Sequence, residues 1–345
     1  MADLTSRKIS RRATLAGIVA TGLAAAPILG ACAQTPATPA APAAQAPASG
    51  TKTLKAAFSN AGLGATWCAQ GKEIAEMWGK WFGVEVTWFD GALSVDKQRK
   101  AIDDMAAQKW DFVAIQPFGI GTLVDPVKRM IENGIPVIQL DTVIAGPEEN
   151  LGILTFLEPD NEWMGSQVTE ALVAAIGGKG TIIETQGAAG HTGSQGRHRG
   201  FEATMKKYPD IKVLAQDFAD WDVNKVAKLW EDYLVKYPDI SGGMFHNDDM
   251  ALAAYQVIQN AKRDIKLVGI DAMPPAVQAV AEGKLVSSAR NPADRVHGWA
   301  VLIGAKVARG ELKAADVPKY ILTDGPVVNK KIAAGLSFTE AIGVS

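Results

Sequence analysis

The chain is predicted to fold as two doubly wound α/β lobes, each a parallel sheet between layers of helices. Three observations carry this expectation. From Leu54 onward, short apolar runs alternate with amphipathic stretches, the pattern of βα units wrapped on a buried parallel sheet. The rhythm starts afresh near Thr181 and runs a second time, which gives two arrays instead of one long one. Nearly every apolar run also stops at a polar residue, and in open parallel sheets ligands bind beyond the carboxyl ends of the strands.

In chain order, Leu54–Ser59, Val84–Asp90, Phe112–Pro117 and Val137–Asp141 read as strands, short and mostly apolar. Trp67–Trp81, Val95–Gln108 and Val124–Asn133 read as the helices between them. Gly134-Ile135-Pro136 supplies the stop before the fourth strand. In the second array, the strands are Thr181–Thr185, Val213–Asp217, Gly243–His246, Leu267–Ile270 and Val286–Ala289. Their helices lie near Gln195–Lys207, Asn224–Tyr237, Asp248–Asn260 and Pro275–Glu282. Asn291–Arg309 is a further helix, and Tyr320–Thr323 a last short strand.

The strand ends carry Ser59-Asn60, Asp90, Gln116, Asp141, Gln186, Asn247, Asp271 and Arg290, with Trp67 and Trp221 on neighbouring loops. Gathered at one sheet edge, they describe a polar cleft with aromatic walls. Asp248, Asp90 and Ser59 also suit helix caps or turns. Capping does not account for Arg290 or the two tryptophans.

Other chemistries find no motif. Gly62-Leu63-Gly64 lacks the third glycine of a dinucleotide loop, with Trp67 in its place. Gly178-Lys179-Gly180-Thr181 precedes its strand, so its amides face the wrong sheet edge for a phosphate. His191, His198 and His246 have no ligand-pair spacing and no cysteine or glutamate set beside them, so no metal and no cofactor is expected. There is no Gly-x-Ser-x-Gly elbow, and Cys68 has no evident histidine partner. The chain is therefore not read as an enzyme. A net charge of -2 with scattered basic residues leaves no nucleic-acid footprint.

The N-terminus reads as an address. Ser10-Arg11-Arg12 precedes an uncharged run from Ala13 to Ala31, ending in Leu29-Gly30-Ala31-Cys32. A basic start, an apolar middle and small residues at the cut site form an export signal over residues 1–31. Leu-Gly-Ala-Cys resembles the lipobox of bacterial lipoproteins, which implies acylation of Cys32. The paired arginines resemble a twin-arginine signal, with Thr14 where that signal usually has phenylalanine. Residues 32–53 then form an Ala/Pro-rich spacer too poor in apolar groups to pack. Stretched out, its disordered part spans on the order of 50 Å at about 3.1 Å per residue. With Cys32 acylated, Cys68 has no disulfide partner and reads as a small packed hydrophobe.

Several local motifs resemble the ribose-type periplasmic binding proteins of ABC importers. They are Gln116-Pro117, Ile135-Pro136-Val137-Ile138-Gln139-Leu140-Asp141, Gln186-Gly187-Ala188-Ala189-Gly190 with Arg197, and Phe218-Ala219-Asp220-Trp221-Asp222. His246-Asn247-Asp248-Asp249-Met250-Ala251, Gly269-Ile270-Asp271 and Ala289-Arg290-Asn291-Pro292 complete the series. The resemblance runs from Leu54 to about Asn329 and implies the type I periplasmic binding protein fold, with a hinge between the two lobes. Regulators of the lac-repressor type share that core, but they begin with a DNA-binding module where this chain has an export signal.

The resemblance implies that Asp141, Arg197, Asn247 and Asp271 hydrogen-bond sugar hydroxyls, with Trp221 and Trp67 stacked on the two ring faces. Asn60 falls in the first loop, and Arg290 where the hinge strand leaves the cleft. Thr142 and Arg290 stand where the ribose binder has arginine and glutamine, so another aldose or a polyol is at least as fitting as ribose. The implied lobes are residues 54–159 plus 291–323 and 160–290 plus 324–345. The expected function is an extracytoplasmic lipoprotein, acting as a monomer, that delivers a monosaccharide or polyol to an ABC permease in the membrane. The alternative is a receptor of the same fold that passes a sugar or autoinducer-like signal to a membrane protein.

Overall fold

The computed structural model describes residues 52–335 apart from Pro147. The export segment, Cys32, nearly all of the spacer and the last ten residues lie outside the described residues.

The first array builds β1 (Leu54–Asn60), α1 (Thr66–Phe82), β2 (Val84–Asp90), α2 (Val95–Ala106), β3 (Phe112–Ile115), α3 (Val124–Glu132), β4 (Val137–Leu140) and β5 (Thr155–Pro159). Its boundaries follow local chemistry. Gly83 ends α1 in the left-handed region at φ 60°, which glycine adopts without a side-chain clash. Ser94 caps α2.

The second array builds α4 (Asn161–Ala175), β6 (Gly180–Gln186), α5 (Thr192–Met205), β7 (Ile211–Phe218), α6 (Val223–Lys236) and β8 (Gly242–Phe245). It continues through α7 (Asp248–Asn260), β9 (Lys266–Asp271), α8 (Pro274–Ala281) and β10 (Ser287–Arg290). Asp160, Asp222 and Asn247 cap α4, α6 and α7 with their side chains, and Pro274 opens α8. The chain ends through α9 (Ala293–Ala308), β11 (Tyr320–Thr323), β12 (Val327–Asn329) and α10 (Lys330–Gly335).

Two six-stranded sheets result, ordered β11-β5-β4-β3-β1-β2 and β12-β10-β9-β8-β6-β7. Apart from the antiparallel β12, every pairing is parallel. Each strand of the first sheet therefore has a counterpart at the same place in the second. Helix α9 comes after the second array yet packs on α1, β3, β4 and β5 of the first lobe. Gly71 of α1 makes that approach possible, because a Cβ there would overlap the His297 ring. The chain thus crosses between lobes three times: after β5, after β10 and after β11.

Apolar clusters cover both faces of each sheet, including Phe58, Phe112 and Ile102 in the first lobe and Trp230, Phe245 and Phe201 in the second. Burial on both faces explains why the strands read as unbroken apolar runs. Four elements go beyond the sequence reading: β5, α4, β12 and α10. Among the described residues, no helix is long and apolar enough to cross a membrane.

Candidate functional site

Strand ends from both sheets meet at one cavity, lined by residues of both lobes.

Asp141 follows β4 directly, with its backbone at φ 54°. Its Oδ2 accepts from Gln116 Nε2 at 2.9 Å and from Thr142 Oγ1 at 3.3 Å, and its Oδ1 accepts from Asn291 Nδ2 at 3.3 Å. Gln116 is fixed in turn, since its Oε1 accepts from the Ala61 backbone N–H at 3.2 Å. Trp67, in the first turn of α1, donates Nε1 to the Asn291 carbonyl at 3.0 Å. His297 lies beside its ring, with centroids 5.0 Å apart.

On the other lobe, Arg197 reaches from α5 to Asp271, which ends β9. Its Nη2 donates to Asp271 Oδ1 at 3.3 Å and its Nε to Asn161 Oδ1 at 3.0 Å, while Nη1 donates to the His246 carbonyl. A guanidinium held by three partners is a rigid fork. Trp221 precedes α6 at φ 63° and lies against Gly187, where a Cβ would overlap its ring. The Arg197 guanidinium sits 5.7 Å from the Trp221 centroid, and His191 meets the same indole edge-on at 5.1 Å. Among the described residues the buried Trp221 Nε1 has no acceptor, so the wall keeps a donor for a ligand. Asn247 spends its Oδ1 on the Met250 N–H of α7, leaving its amide nitrogen as the group that can donate.

Burial sets the protonation of this site. It pushes Asp271 up to about 7, against the pull of Arg197. It holds His191 down at about 4, so the ring is neutral at neutral pH. His191 Nδ1 accepts from the Gly193 N–H at 3.1 Å, which places the ring proton on Nε2 facing Thr142 Oγ1 at 2.8 Å. Burial pushes the Cys68 thiol well above its usual range, so it lies against the cavity as a small apolar group.

A second polar set stands behind the wall. Glu184 is fully buried in β6 and accepts from His246 Nε2 and His198 Nδ1, both at 2.9 Å. Burial alone would raise this carboxyl, yet the hydrogen bonds from His198 and His246 hold it at about 2. His246 Nδ1 accepts from the Gly187 N–H at 3.2 Å, so this network fixes the backbone under Trp221.

Six sequence-predicted residues meet at the cavity: Trp67, Asp141, Arg197, Trp221, Asn247 and Asp271. Asn60 and Arg290 do not line it. Asn60 turns into the core and donates to the Cys68 carbonyl at 2.9 Å. Arg290 turns to Asp294, one helical turn on, at 2.8 Å. Neighbouring residues at a strand end point to opposite sides, so it is the next residue, Asn291, that lines the cavity. Gln116 and His191 are wall residues as well. Gln116 was visible as a strand end, whereas His191 gave no spacing signal. Among the described residues, no group of three or more His, Cys, Asp or Glu could hold a metal ion.

The arrangement offers two carboxylates to accept from hydroxyls, one guanidinium and several amides to donate, and two indoles for apolar faces. Comparison with known proteins gives the family. Residues 56–312 match the periplasmic binding protein domain family. The xylitol-binding protein of Mycolicibacterium smegmatis is 27% identical over 267 residues, 77% of this chain and 74% of that protein. The ribose import binding protein of Salmonella typhimurium is 28% identical over 238 residues, 68% of this chain and 78% of its own length. An ABC transporter solute-binding protein from Mycobacterium smegmatis, solved with bound glycerol, superposes with a TM-score of 0.76 at 30% identity. That match covers 83% of this chain and 97% of the other. These relatives are binding proteins, and the chain belongs with them to the periplasmic binding protein domain family.

Proposed function

We propose that this protein captures a monosaccharide or polyol between its lobes, outside the cytoplasm, and delivers it to an ABC permease. The observation that carries the reading is one cavity lined together by Asp141, the Asp271–Arg197 pair, Trp67 and Trp221. A carboxylate accepts from two adjacent hydroxyls, a guanidinium donates to a third, and an indole covers the C–H face of a ring. Relatives named for xylitol, ribose and allose, and one solved with glycerol, support a small polyhydroxylated ligand. Cys32, after a lipobox-like Leu29-Gly30-Ala31, supports a lipid anchor on the membrane that holds the permease. That its relatives are binding proteins supports a role in binding without turnover.

The test is a thermal-shift screen of pentoses, hexoses and polyols, followed by calorimetry on the hits. A ligand that binds only the native state adds about 2.7 kcal/mol at a hundred times its dissociation constant. No stabilisation by any of these compounds at millimolar concentration would sink the reading.

A further inference from the structure

Outside the cavity, a side chain of the second lobe caps a helix of the first. Helix α1 starts at Thr66, its N-cap Ala65 provides no side-chain acceptor, and no acidic residue lies in its first turn. A helix start leaves N–H groups unpaired and carries a partial positive charge, so it favours a carboxylate. Here that carboxylate comes from the other lobe. Asp249 of α7 accepts the Thr66 backbone N–H on Oδ2 at 2.8 Å and the Thr66 hydroxyl on Oδ1 at 2.6 Å.

Helix α7 does not need Asp249 for itself. Its cap is Asn247, and its start is already anchored by Asp248, which accepts from the Met273 N–H at 3.0 Å and from Ser288 Oγ at 2.7 Å. The other contacts between the lobes include a backbone bond from Ile120 N–H to the Gly190 carbonyl at 2.9 Å and the neutral Thr142–His191 pair. Thr66–Asp249 is thus a charge-assisted clasp across the cleft, whereas the Arg290–Asp294 pair sits where the chain passes from one lobe to the other. It stands next to the ligand residues on both sides, since Thr66 precedes Trp67 and Asp249 lies two residues after Asn247. Asp249 itself does not line the cavity.

We propose that Asp249 caps α1 in trans, giving the two lobes a tendency to close that does not depend on the ligand and that slows ligand release. Opening the cleft separates Asp249 from Thr66 and leaves the start of α1 bare, so the cap is regained only on closing. Asp249 is a positioning residue: it acts on affinity through closure and has no part in choosing the ligand. Only the effect on release rests on the sugar-binding reading.

The test compares the wild-type chain with Asp249→Ala and Thr66→Val, using circular dichroism to verify folding. Solution X-ray scattering without ligand is expected to show a more open average shape for Asp249→Ala, and a smaller change for Thr66→Val. With xylitol and D-ribose as probes, Asp249→Ala is expected to weaken binding about tenfold, through faster release, with the order of preference unchanged. Identical scattering in wild type and Asp249→Ala would overturn the clasp. A protein that binds neither probe but still opens in Asp249→Ala would overturn the choice of ligand and leave the clasp standing.

Discussion

Asp141 and Asp271 occupy equivalent places in the two lobes, at the ends of β4 and β9, the third strands in the two matching sheet orders. Both hold their backbone at positive φ, 54° and 116°, a region that costs a non-glycine residue about 1–3 kcal/mol. Strain at both carboxylates aims them into a shared cavity from opposite walls. Their surroundings differ. Asp141 is served by neutral Gln116, Thr142 and Asn291, whereas Asp271 has the cation Arg197. The second lobe therefore carries the ionic part of the site.

Removing either half of that ionic part is expected to weaken ligand binding at least tenfold. Arg197→Ala strands Asp271, and Asp271→Ala strands Arg197, with each charged hydrogen bond worth about 1.5–3 kcal/mol. Calorimetry on both variants checks this, and unchanged affinity in both would remove them from the site.

Gly187→Ala tests the Trp221 wall without touching a polar ligand group. A Cβ at this position overlaps the indole, so the ring must shift. The expected outcome is weaker binding with a modest loss of stability. The change in indole fluorescence on ligand addition should shrink, and a fully retained fluorescence response would count against a stacking role.

Two sets of buried groups cost folding stability in acid, in separate pH ranges. Burial holds His191 and His297 each at about 4, below the 6.5 of the free side chain. As the pH falls, the unfolded chain takes up these protons first, so this stability is complete above pH 6.5 and lost on the way to about 4. Each histidine contributes on the order of 3 kcal/mol to that loss. Glu184, held at about 2 despite burial, contributes stability that is present above pH 4.5 and lost as the pH falls toward 2. Asp271 and Glu158, both raised to about 7, take up their protons first in the folded state and oppose the histidine loss, so that loss is read as the difference between wild type and His297→Gln in melting temperature against pH.

Cys32→Ser is expected to move the protein from the membrane fraction to the soluble one while leaving sugar affinity intact. A single acyl chain binds membranes only marginally, so the anchor needs the multiple acylation that the lipobox resemblance implies. Fractionation of cells that express each form reads this out, and equal membrane association would exclude Cys32 as the anchor.

The strands were legible because buried parallel strands leave unbroken apolar runs, as in Phe112–Ile115 and Val137–Leu140. Helix α4 was not, for a packing reason. It lies so close to α5 that a Cβ on Gly165 would overlap the Arg197 backbone, and the small residues needed there erase the apolar stripe. Strand β5 was hidden by Glu158 and Pro159, residues that rarely mark a strand. At the site, residue type was readable and direction was not. The motif Arg290-Asn291 invites the charged residue into the cleft, yet it is Asn291 that lines the cavity, while Arg290 finds its charge partner in Asp294. His191 was invisible because its role depends on Thr142, which only the meeting of the two lobes brings within 2.8 Å.

The three crossings between lobes constrain how the molecule can be made. The first sheet lacks its edge strand until Thr323 has been synthesised, and the second lacks its own until Asn329. Neither lobe can finish while the ribosome is still working through the other. The halves are therefore poor candidates for separate expression, and a chain stopped before Val327 would leave the β10 edge open to pairing with another molecule.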